Sequence, residues 1–314
     1  MICVRAAGVR PSHALTALAL LLGACDSGSS AGSSAAPAGS ASAGASAAPS
    51  ASSVPVAKLA GGVPIAPSVV EGVVNPKREP AYAGPVGSVA GSVSIVGDPS
   101  PVDRVRTSIP ADCLAARETY KHAFREGIMR SAADVFVAVT GYEGYLPARE
   151  DVMTLNASGC AFDTRTVGLT FGQALDIASK DRRAYVPELL GSRATAQLVV
   201  TPGGDPVRLY PQSPGRYVLV DSMRTFATAD VLVVAYRTFD VTGLDGKFEI
   251  KDVPVGKVTL SALLPEAMLT TEREITVEAG QTTSVDLELR FDQKRYEEQL
   301  AKAKKSTAAP KASD

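Results

Sequence analysis

The sequence has no tryptophan, and its first 81 residues contain no aromatic residue of any kind. A packed core needs large apolar side chains, so folding is expected to begin near Tyr82, which leaves about 230 residues for structured domains. Histidine is equally scarce, with only His13 and His122 in the chain. His13 lies in a segment that we expect to be removed, so one mature chain cannot build a metal site from several histidines.

An excess of either charge is also absent. The chain has 32 Lys and Arg residues against 33 Asp and Glu residues, which gives a formal net charge of −1. Nucleic-acid-binding proteins usually carry a clear basic excess, so we expect no nucleic-acid partner.

The amino terminus has the features of a secretion signal. Arg5 and Arg10 precede a nine-residue apolar run at 14–22. Such a run is too short for a membrane-spanning helix, which needs about 20 residues, but is typical of a signal peptide.

The signal ends in Leu-Gly-Ala-Cys at 22–25, which resembles a bacterial lipobox. The resemblance implies that residues 1–24 are removed as a lipoprotein signal peptide and that Cys25 carries a lipid. We therefore predict a cell-envelope protein held to a bacterial membrane by its lipid anchor and facing the periplasm or the exterior. An ordinary signal peptide, with Cys25 present by chance, is the alternative.

A low-complexity segment follows the signal. Residues 26–53 are only Ala, Ser, Gly and Pro, apart from Asp26. Such a segment cannot bury enough apolar surface to offset the entropy lost on ordering. We predict a flexible linker over 25–84 between the membrane and the folded part.

The four cysteines divide between two roles. Cys3 would leave with the signal peptide and Cys25 would be acylated, so Cys113 and Cys160 remain, 47 residues apart. An even pair outside the cytoplasm favours a disulfide, which would stabilise the fold by about 3–4 kcal/mol. Two free buried thiols are the alternative.

From Pro85 onward the sequence changes to short apolar runs separated by Gly- and Pro-containing turns, without helical periodicity before the carboxy-terminal tail. Many short strands with frequent turns indicate a β-sandwich. The predicted strands lie near 89–95, 135–139, 167–171, 174–177, 195–200, 217–220 and 231–236.

Strict alternation of apolar and polar residues begins near residue 240 and predicts a β-meander that ends near Leu289. The meander is small, so we expect it to pack against the preceding domain. Asp292 is predicted to cap a polar helix that extends to about Lys304, within a terminal segment at 292–314 whose end we expect to be disordered.

Two family resemblances give these strands a more specific interpretation. The string DGxFxIxxVPxG at 245–256 resembles carboxypeptidase regulatory-like domains, which are transthyretin-type β-sandwiches without catalytic residues. The preceding stretch resembles cupredoxin-like domains of exported proteins, through GCAF at 159–162, VxLxFGQxLxI at 167–177 and ADVLVV at 229–234. The resemblances imply an all-β chain, with a cupredoxin-like domain at 85–236 and a carboxypeptidase regulatory-like domain at 237–291.

The cupredoxin resemblance fails at the copper ligands. A blue-copper site uses two imidazoles, a thiolate and a weak axial ligand such as Met. The positions that the resemblance assigns to these ligands hold Tyr185, Asp221, Arg224 and Ala227, and no histidine follows His122. We therefore predict neither copper nor any other metal or cofactor.

The same loops carry a group of basic residues that could have acquired another use. Lys180, Arg182, Arg183 and Arg224 would meet at the open end of the sandwich. They could bind an anionic partner such as a glycan, a phosphate or a protein surface. Alternatively, they form a solvated loop with internal ion pairs, each of which contributes less than about 1 kcal/mol.

No catalytic residues can be recognised. His122 stands alone in a polar segment, and Ser222 beside Asp221 has no histidine base, so nucleophilic catalysis is not expected. We predict a membrane-tethered lipoprotein with a non-catalytic, metal-free binding or structural role, and an envelope protein or a glycan as its partner. A periplasmic copper electron-transfer protein with altered ligands and an envelope enzyme of unrecognised chemistry are the alternatives.

Overall fold

A computed structural model of the chain describes residues 62–103, 108–192 and 198–308, with the side chains of 304–308 excepted. The predicted signal peptide, Cys25, the first part of the predicted linker and the last residues of the tail lie outside the described residues. No helix within the described ranges is both long enough and apolar enough to cross a membrane.

The described residues are mostly β-strands, which confirms the predicted all-β class. The α-helices are α1 (Pro67–Val74), α2 (Leu114–Tyr120) and α3 (Gln293–Ala308), and a 3-10 turn spans Ile128–Arg130. The strands are β1 (Val86–Gly97), β2 (Phe136–Thr140), β3 (Val152–Ser158), β4 (Ala161–Phe162), β5 (Thr166–Thr170), β6 (Ala174–Ser179), β7 (Pro187–Leu190), β8 (Val207–Leu209), β9 (Gly215–Asp221), β10 (Arg224–Val234), β11 (Phe239–Val241), β12 (Lys247–Pro254), β13 (Gly256–Leu264), β14 (Leu269–Val277), β15 (Thr282–Ser284) and β16 (Leu287–Phe291).

The first sandwich contains strands β3 to β10. One sheet has the order β5-β10-β9-β7 and the other β4-β3-β6-β8. The β5–β10 and β3–β6 pairs are parallel, and the other pairs are antiparallel. Alternate residues such as Val167, Leu169 and Val231 point into the core between the sheets.

The second sandwich contains β1, β2 and β11 to β16. In one sheet the long strand β1 pairs with β12 on one side and with β15 and β16 on the other. The opposing sheet has the order β11-β2-β13-β14. Val89, Val93 and Ile95 of β1 are buried between the sheets, as their period-2 spacing predicts.

The boundary between the sandwiches differs from the predicted one at 236/237. Strands β1 and β2 lie in the predicted first domain, yet they complete the second sandwich. Without β1, strands β12 and β16 would lack their common neighbour, and without β2, strands β11 and β13 would lack theirs. The local alternation at 240–290 does not reveal that these strands need partners from more than 100 residues earlier.

The predicted linker at 25–84 also requires correction at its carboxy-terminal end. Helix α1 packs Val70, Val73 and Val74 against the first core. Asn75 then holds the turn after the helix, because its side chain donates to the Glu79 carbonyl at 2.8 Å and accepts from the Glu79 amide at 2.9 Å. Apolar residues spaced for a helix give this segment the buried surface that 26–53 lacks.

The two sandwiches pack against each other through a small apolar cluster that includes Phe136, Ala138 and Leu232. The ring of Phe239 stacks on that of Phe136 with their centroids 5.1 Å apart. Both rings lie over Gly168 of β5, where an added Cβ would come within 2.5 Å of the Phe239 ring. Glycine at this position therefore allows the sandwiches to approach closely.

Three further elements test the predicted pattern. Helix α3 begins where predicted, and the Asp292 carboxylate accepts the Arg295 amide at 2.9 Å, which confirms the cap. The predicted strand at 195–200 lies partly outside the described residues, and in its described part Val200 makes only an isolated bridge to Tyr185. Strands β3, β4, β7 and β8 were not predicted, because their alternation is short or interrupted.

Candidate functional site

The predicted disulfide between Cys113 and Cys160 is present. Cys113 immediately precedes helix α2, and Cys160 lies in the turn between β3 and β4. Both residues are buried, with their Cα atoms 5.3 Å apart. The bond therefore ties the segment around α2 to the first sandwich.

Arg224 lies at the centre of the loop cluster to which the cupredoxin resemblance assigns the ligand positions. Its guanidinium Nη1 donates to Asp221 Oδ2 at 2.9 Å and to the Ala184 carbonyl at 3.0 Å. Its Cζ lies 5.1 Å from the centroid of the Tyr185 ring, within the range of a cation–π contact. The structure thus brings three of the four positions into one cluster, which we call the closed corner (Asp181, Tyr185, Asp221 and Arg224). The fourth, Ala227, is buried in the adjacent core.

Asp221 is fully buried, and its carboxylate is saturated with hydrogen bonds. Besides Arg224, it accepts the amides of Val186 at 2.9 Å and Met223 at 3.2 Å. A buried carboxylate is tolerated when it is paired and hydrogen-bonded in this way. Its role here is structural.

Tyr185 is also fully buried. Its hydroxyl donates to Asp181 Oδ2 at 3.1 Å and accepts the Cys160 amide at 3.2 Å. Burial is the main cause that raises the pKa of Tyr185 to about 12, so the ring carries a neutral phenol near neutral pH.

The pKa of Asp181 is shifted in the opposite direction from that of Tyr185. Burial alone would raise its pKa, but hydrogen bonds from the amides of Arg183 and Gly159, from the Tyr185 hydroxyl and from the Arg183 guanidinium together outweigh burial and lower the pKa. Arg183 also donates to the Asp112 carbonyl at 3.0 Å. Both oxygens of Asp181 are therefore used inside the loop.

The four residues of the predicted basic patch therefore differ in whether they are free to bind an anionic partner. Arg224 and Arg183 are engaged in ion pairs with Asp221, Asp181 and Asp112. Lys180 and Arg182 are exposed and form no ion pair with any residue in the described part of the chain. Two of the four cations thus remain accessible to an anion.

The donors of the closed corner do not fit a copper ion. Its tyrosine is protonated, its buried carboxylate is paired with a guanidinium, and Cys113 and Cys160 are joined in the disulfide. Blue-copper chemistry uses a thiolate and imidazoles, and none of these groups is present here. Across the described ranges, no three His, Cys, Asp or Glu side chains come together as a potential metal site.

The residues considered for catalysis have structural partners. His122 Nδ1 lies 3.1 Å from the Ser100 carbonyl, and the His122 carbonyl accepts Arg165 Nη1 at 2.9 Å. Ser222 donates to Glu188 Oε2 at 2.9 Å. Ser222 and His122 thus have different partners, and the serine is not paired with a histidine base among the described residues.

A buried charged network at the junction of the sandwiches was not predicted. Arg165 is only 1% exposed, and its Nη2 lies 2.7 Å from Glu266 Oε1. Asp134, also buried, accepts Arg125 Nε at 2.6 Å and the Arg165 amide at 2.8 Å. Arg165 is distant in sequence from Glu266, and Arg125 and Asp134 are separated by an irregular segment, so no local motif indicated the pairs.

Beside this network lies a cleft of about 590 Å³ between strands β3, β5 and β11. We call it the interdomain cleft and define it by Arg125 and residues 153–155, 163–164, 166–168 and 239–244. Its volume falls in the range of pockets that bind ligands. No sequence motif indicates it, because its walls come from both sandwiches.

Comparisons with known proteins give limited similarity. No family model and no curated protein matches the chain. Among solved structures, the chain is similar to a mutant of amicyanin in its reduced state, with 13% identity over 26% of this chain and 81% of that chain and a TM-score of 0.24. Amicyanin from Paracoccus versutus has 14% identity, coverage of 28% and 84%, and a TM-score of 0.24. At these scores the similarity carries no argument about function.

Proposed function

We propose that the protein is a lipid-anchored cell-envelope protein with a non-catalytic, metal-free binding role. The observation that carries the proposal is the position of Arg224, whose guanidinium lies between Asp221 and the Tyr185 ring. In this proposal the loops that hold copper in cupredoxins serve as a structural corner.

The charge of Arg224 makes the corner unfavourable for a second cation. A metal ion at this place would have to displace the guanidinium from a fully buried carboxylate. Breaking a buried ion pair by removing one partner typically costs about 3–5 kcal/mol. The neutral phenol of Tyr185 offers no compensating anionic donor near neutral pH.

A copper titration tests the metal-free part of the proposal. The purified protein is incubated with Cu(II), desalted and analysed for metal and for visible absorption. We expect no retained copper and no thiolate charge-transfer band, because both cysteines near the corner are in the disulfide. Retention of one copper per chain with such a band would instead support electron transfer.

The lipid anchor is tested independently by cell fractionation. We expect Cys25→Ala to move the protein from the membrane to the soluble envelope fraction, because the variant has no thiol for acylation. Cys3→Ala is the matched control and should leave the protein in the membrane fraction. Membrane retention of the Cys25→Ala variant would contradict lipidation at this residue.

A further inference from the structure

Strand β5 presents one unpaired backbone position, Gly168, to the interdomain cleft. The Phe171 amide donates to the Val234 carbonyl at 2.7 Å, and the Arg165 carbonyl accepts the Asp230 amide at 2.8 Å, so the odd-numbered residues of β5 bond to β10. Alternation turns the amide and carbonyl of Gly168 the other way, and no described residue bonds to them. The neighbouring outward groups are already used, because Thr164 Oγ1 bonds to the amide and carbonyl of Thr166 and Gln173 Oε1 accepts the Thr170 amide. An added backbone segment could therefore pair with β5 at Gly168.

Strand β3 has a similar free stretch on the other side of the cleft. The Asp151 carbonyl accepts the Ala174 amide, and the Ala157 carbonyl accepts the Lys180 amide, both at 2.9 Å on the β6 side. The amide and carbonyl of Thr154 therefore face away from β6. On that side β4 pairs with β3 only at Ala157 and Ser158, so Thr154 is left uncovered.

A buried hydroxyl without a partner lies on the same wall. Thr166 is 1% exposed and lines the cleft, yet its Oγ1 has no hydrogen-bond partner among the described residues. A buried polar group without a hydrogen-bond partner destabilises the folded state. A hydrogen bond from a bound ligand would remove this cost.

The side chains of the cleft combine apolar and acidic character. Met153, Phe239 and Leu244 supply apolar surface, while Asp163 and Asp240 supply carboxylates. Neither carboxylate forms an ion pair with a described Lys or Arg. The one cation of the lining, Arg125, is neutralised by Asp134. The cleft is therefore complementary to a ligand that is apolar and basic.

The apolar surface continues beyond one end of the cleft. Leu244 is 55% exposed, and its carbonyl accepts the Ser131 hydroxyl at 2.6 Å, next to the 3-10 turn. In that turn Ile128 and Met129 are 88% and 92% exposed. Adjacent exposed apolar side chains of this kind are typical of interaction surfaces.

We propose that the interdomain cleft binds an extended segment of a partner protein, which adds as a β-strand to the Gly168 edge and carries alternating apolar and basic side chains. The proposal rests on the binding role proposed above and names the partner's chemistry. The free amide and carbonyl of Gly168 favour a peptide over a glycan, because an extended backbone can bond to both groups of one strand residue at once.

A direct test uses the detergent-solubilised full chain and three synthetic heptapeptides: Lys-Val-Lys-Val-Lys-Val-Lys, the same peptide with its backbone amides methylated, and Glu-Val-Glu-Val-Glu-Val-Glu. We expect the lysine peptide to bind and to slow hydrogen exchange at the Gly168 or Thr154 amide. The methylated peptide has lost its backbone donors and the glutamate peptide has the wrong charge, so each should bind at least about tenfold more weakly.

The substitution Thr166→Val tests the contribution of the protein's own unpaired hydroxyl to peptide binding. It keeps the shape of the side chain and removes the hydroxyl, so peptide affinity should fall about fivefold, the effect of one neutral hydrogen bond. The unliganded variant should melt at a higher temperature than the parent, which separates a binding defect from a folding defect. Thr170→Val, on the same strand and face but outside the cleft, should leave affinity unchanged.

Absence of lysine-peptide binding, equal binding of the methylated peptide, or an unchanged affinity in Thr166→Val would each overturn the proposal. Binding of a chito-oligosaccharide in place of the peptides, with loss in the same variant, would overturn it in favour of a glycan. Copper retention and the fractionation of Cys25→Ala do not depend on the cleft. A cleft that binds no peptide would therefore leave the proposed lipid anchor and the metal-free corner unaffected.

Discussion

The closed corner and the interdomain cleft treat their polar groups in opposite ways. In the corner, Asp221 and Tyr185 are fully buried and each of their polar groups has a partner. In the cleft, the Thr166 hydroxyl and the backbone of Gly168 are left without partners in the described part of the chain. A site whose donors and acceptors are all paired has no hydrogen bond available for a ligand. A site with unpaired buried groups gains hydrogen bonds when a ligand binds.

The comparison also shows that the place where a family resemblance predicts a ligand differs from the place where unpaired polar groups are available to bind one. The corner lies where a family resemblance would place a metal, yet Arg224 already supplies the positive charge there. The cleft corresponds to no motif, but it combines free strand edges with acidic side chains. We therefore look for the binding activity in the cleft and for stability in the corner.

The largest expected effect comes from breaking the ion pair of the corner. Asp221→Ala should lower the free energy of unfolding by about 3–5 kcal/mol, because Arg224 would keep a partly buried charge without its partner. Lys180→Ala, in the same loop region but exposed and outside any described ion pair, should change it by less than about 0.5 kcal/mol. Urea denaturation measures both. Equal losses would show that the ion pair contributes nothing specific.

A somewhat smaller effect is expected from the disulfide beside the corner. Replacing both Cys113 and Cys160 with alanine should lower the free energy of unfolding by about 3–4 kcal/mol, since the unfolded chain is no longer cross-linked. The cleft does not include this disulfide, so peptide affinity below the unfolding transition should stay unchanged. Denaturation and peptide binding on the same preparations check the two parts. A loss of affinity in the folded variant would link the two regions.

The smallest expected effect is on the pH dependence of stability, which should have opposite signs for Asp181 in the corner and Asp240 in the cleft. The folded-state pKa of Asp181 in the corner is lowered, so its contribution to stability is present above about pH 4 and is lost as the pH falls through that pKa. Burial raises the folded-state pKa of Asp240 in the cleft, so its contribution is present at low pH and is lost as the pH rises through that pKa.

Asp181→Asn and Asp240→Asn isolate these two contributions. Denaturation from about pH 3 to pH 7 should show that Asp181→Asn costs stability mainly at the upper end of the range. Asp240→Asn should instead stabilise the protein there, because it removes a carboxylate that is unfavourably charged. The same pH dependence for both variants would contradict the distinction between corner and cleft.

Several features could be predicted from local sequence because their causes are local. Alternating apolar residues bury one face of a strand, as Val89, Val93 and Ile95 do. Asp292 caps the helix that starts at the next residue. The pairing of Cys113 with Cys160 was predicted from the expected removal of Cys3, the expected acylation of Cys25 and the chemistry expected outside the cytoplasm, and the structure contains this disulfide.

Other features depend on contacts that no local pattern encodes. The valines of helix α1 distinguish it from residues 26–53, but so short a helix is stabilised by packing on the first core, which no local pattern encodes. Strands β1 and β2 complete the second sandwich, although they precede most of the first in the chain. A strand's own sequence records which face is buried but not which strand lies beside it.

By itself the sequence determined the all-β class, the cysteine pair and the absence of histidine after His122, because each depends on which residues are present and on their spacing. Only the tertiary structure decided that Arg224 closes the corner and that a cleft opens between the sandwiches. The physical reason is that ion pairing, burial and strand edges are properties of residues brought together in space. Arg224 meets Tyr185, and Gly168 faces Phe239, only after the sheets have formed.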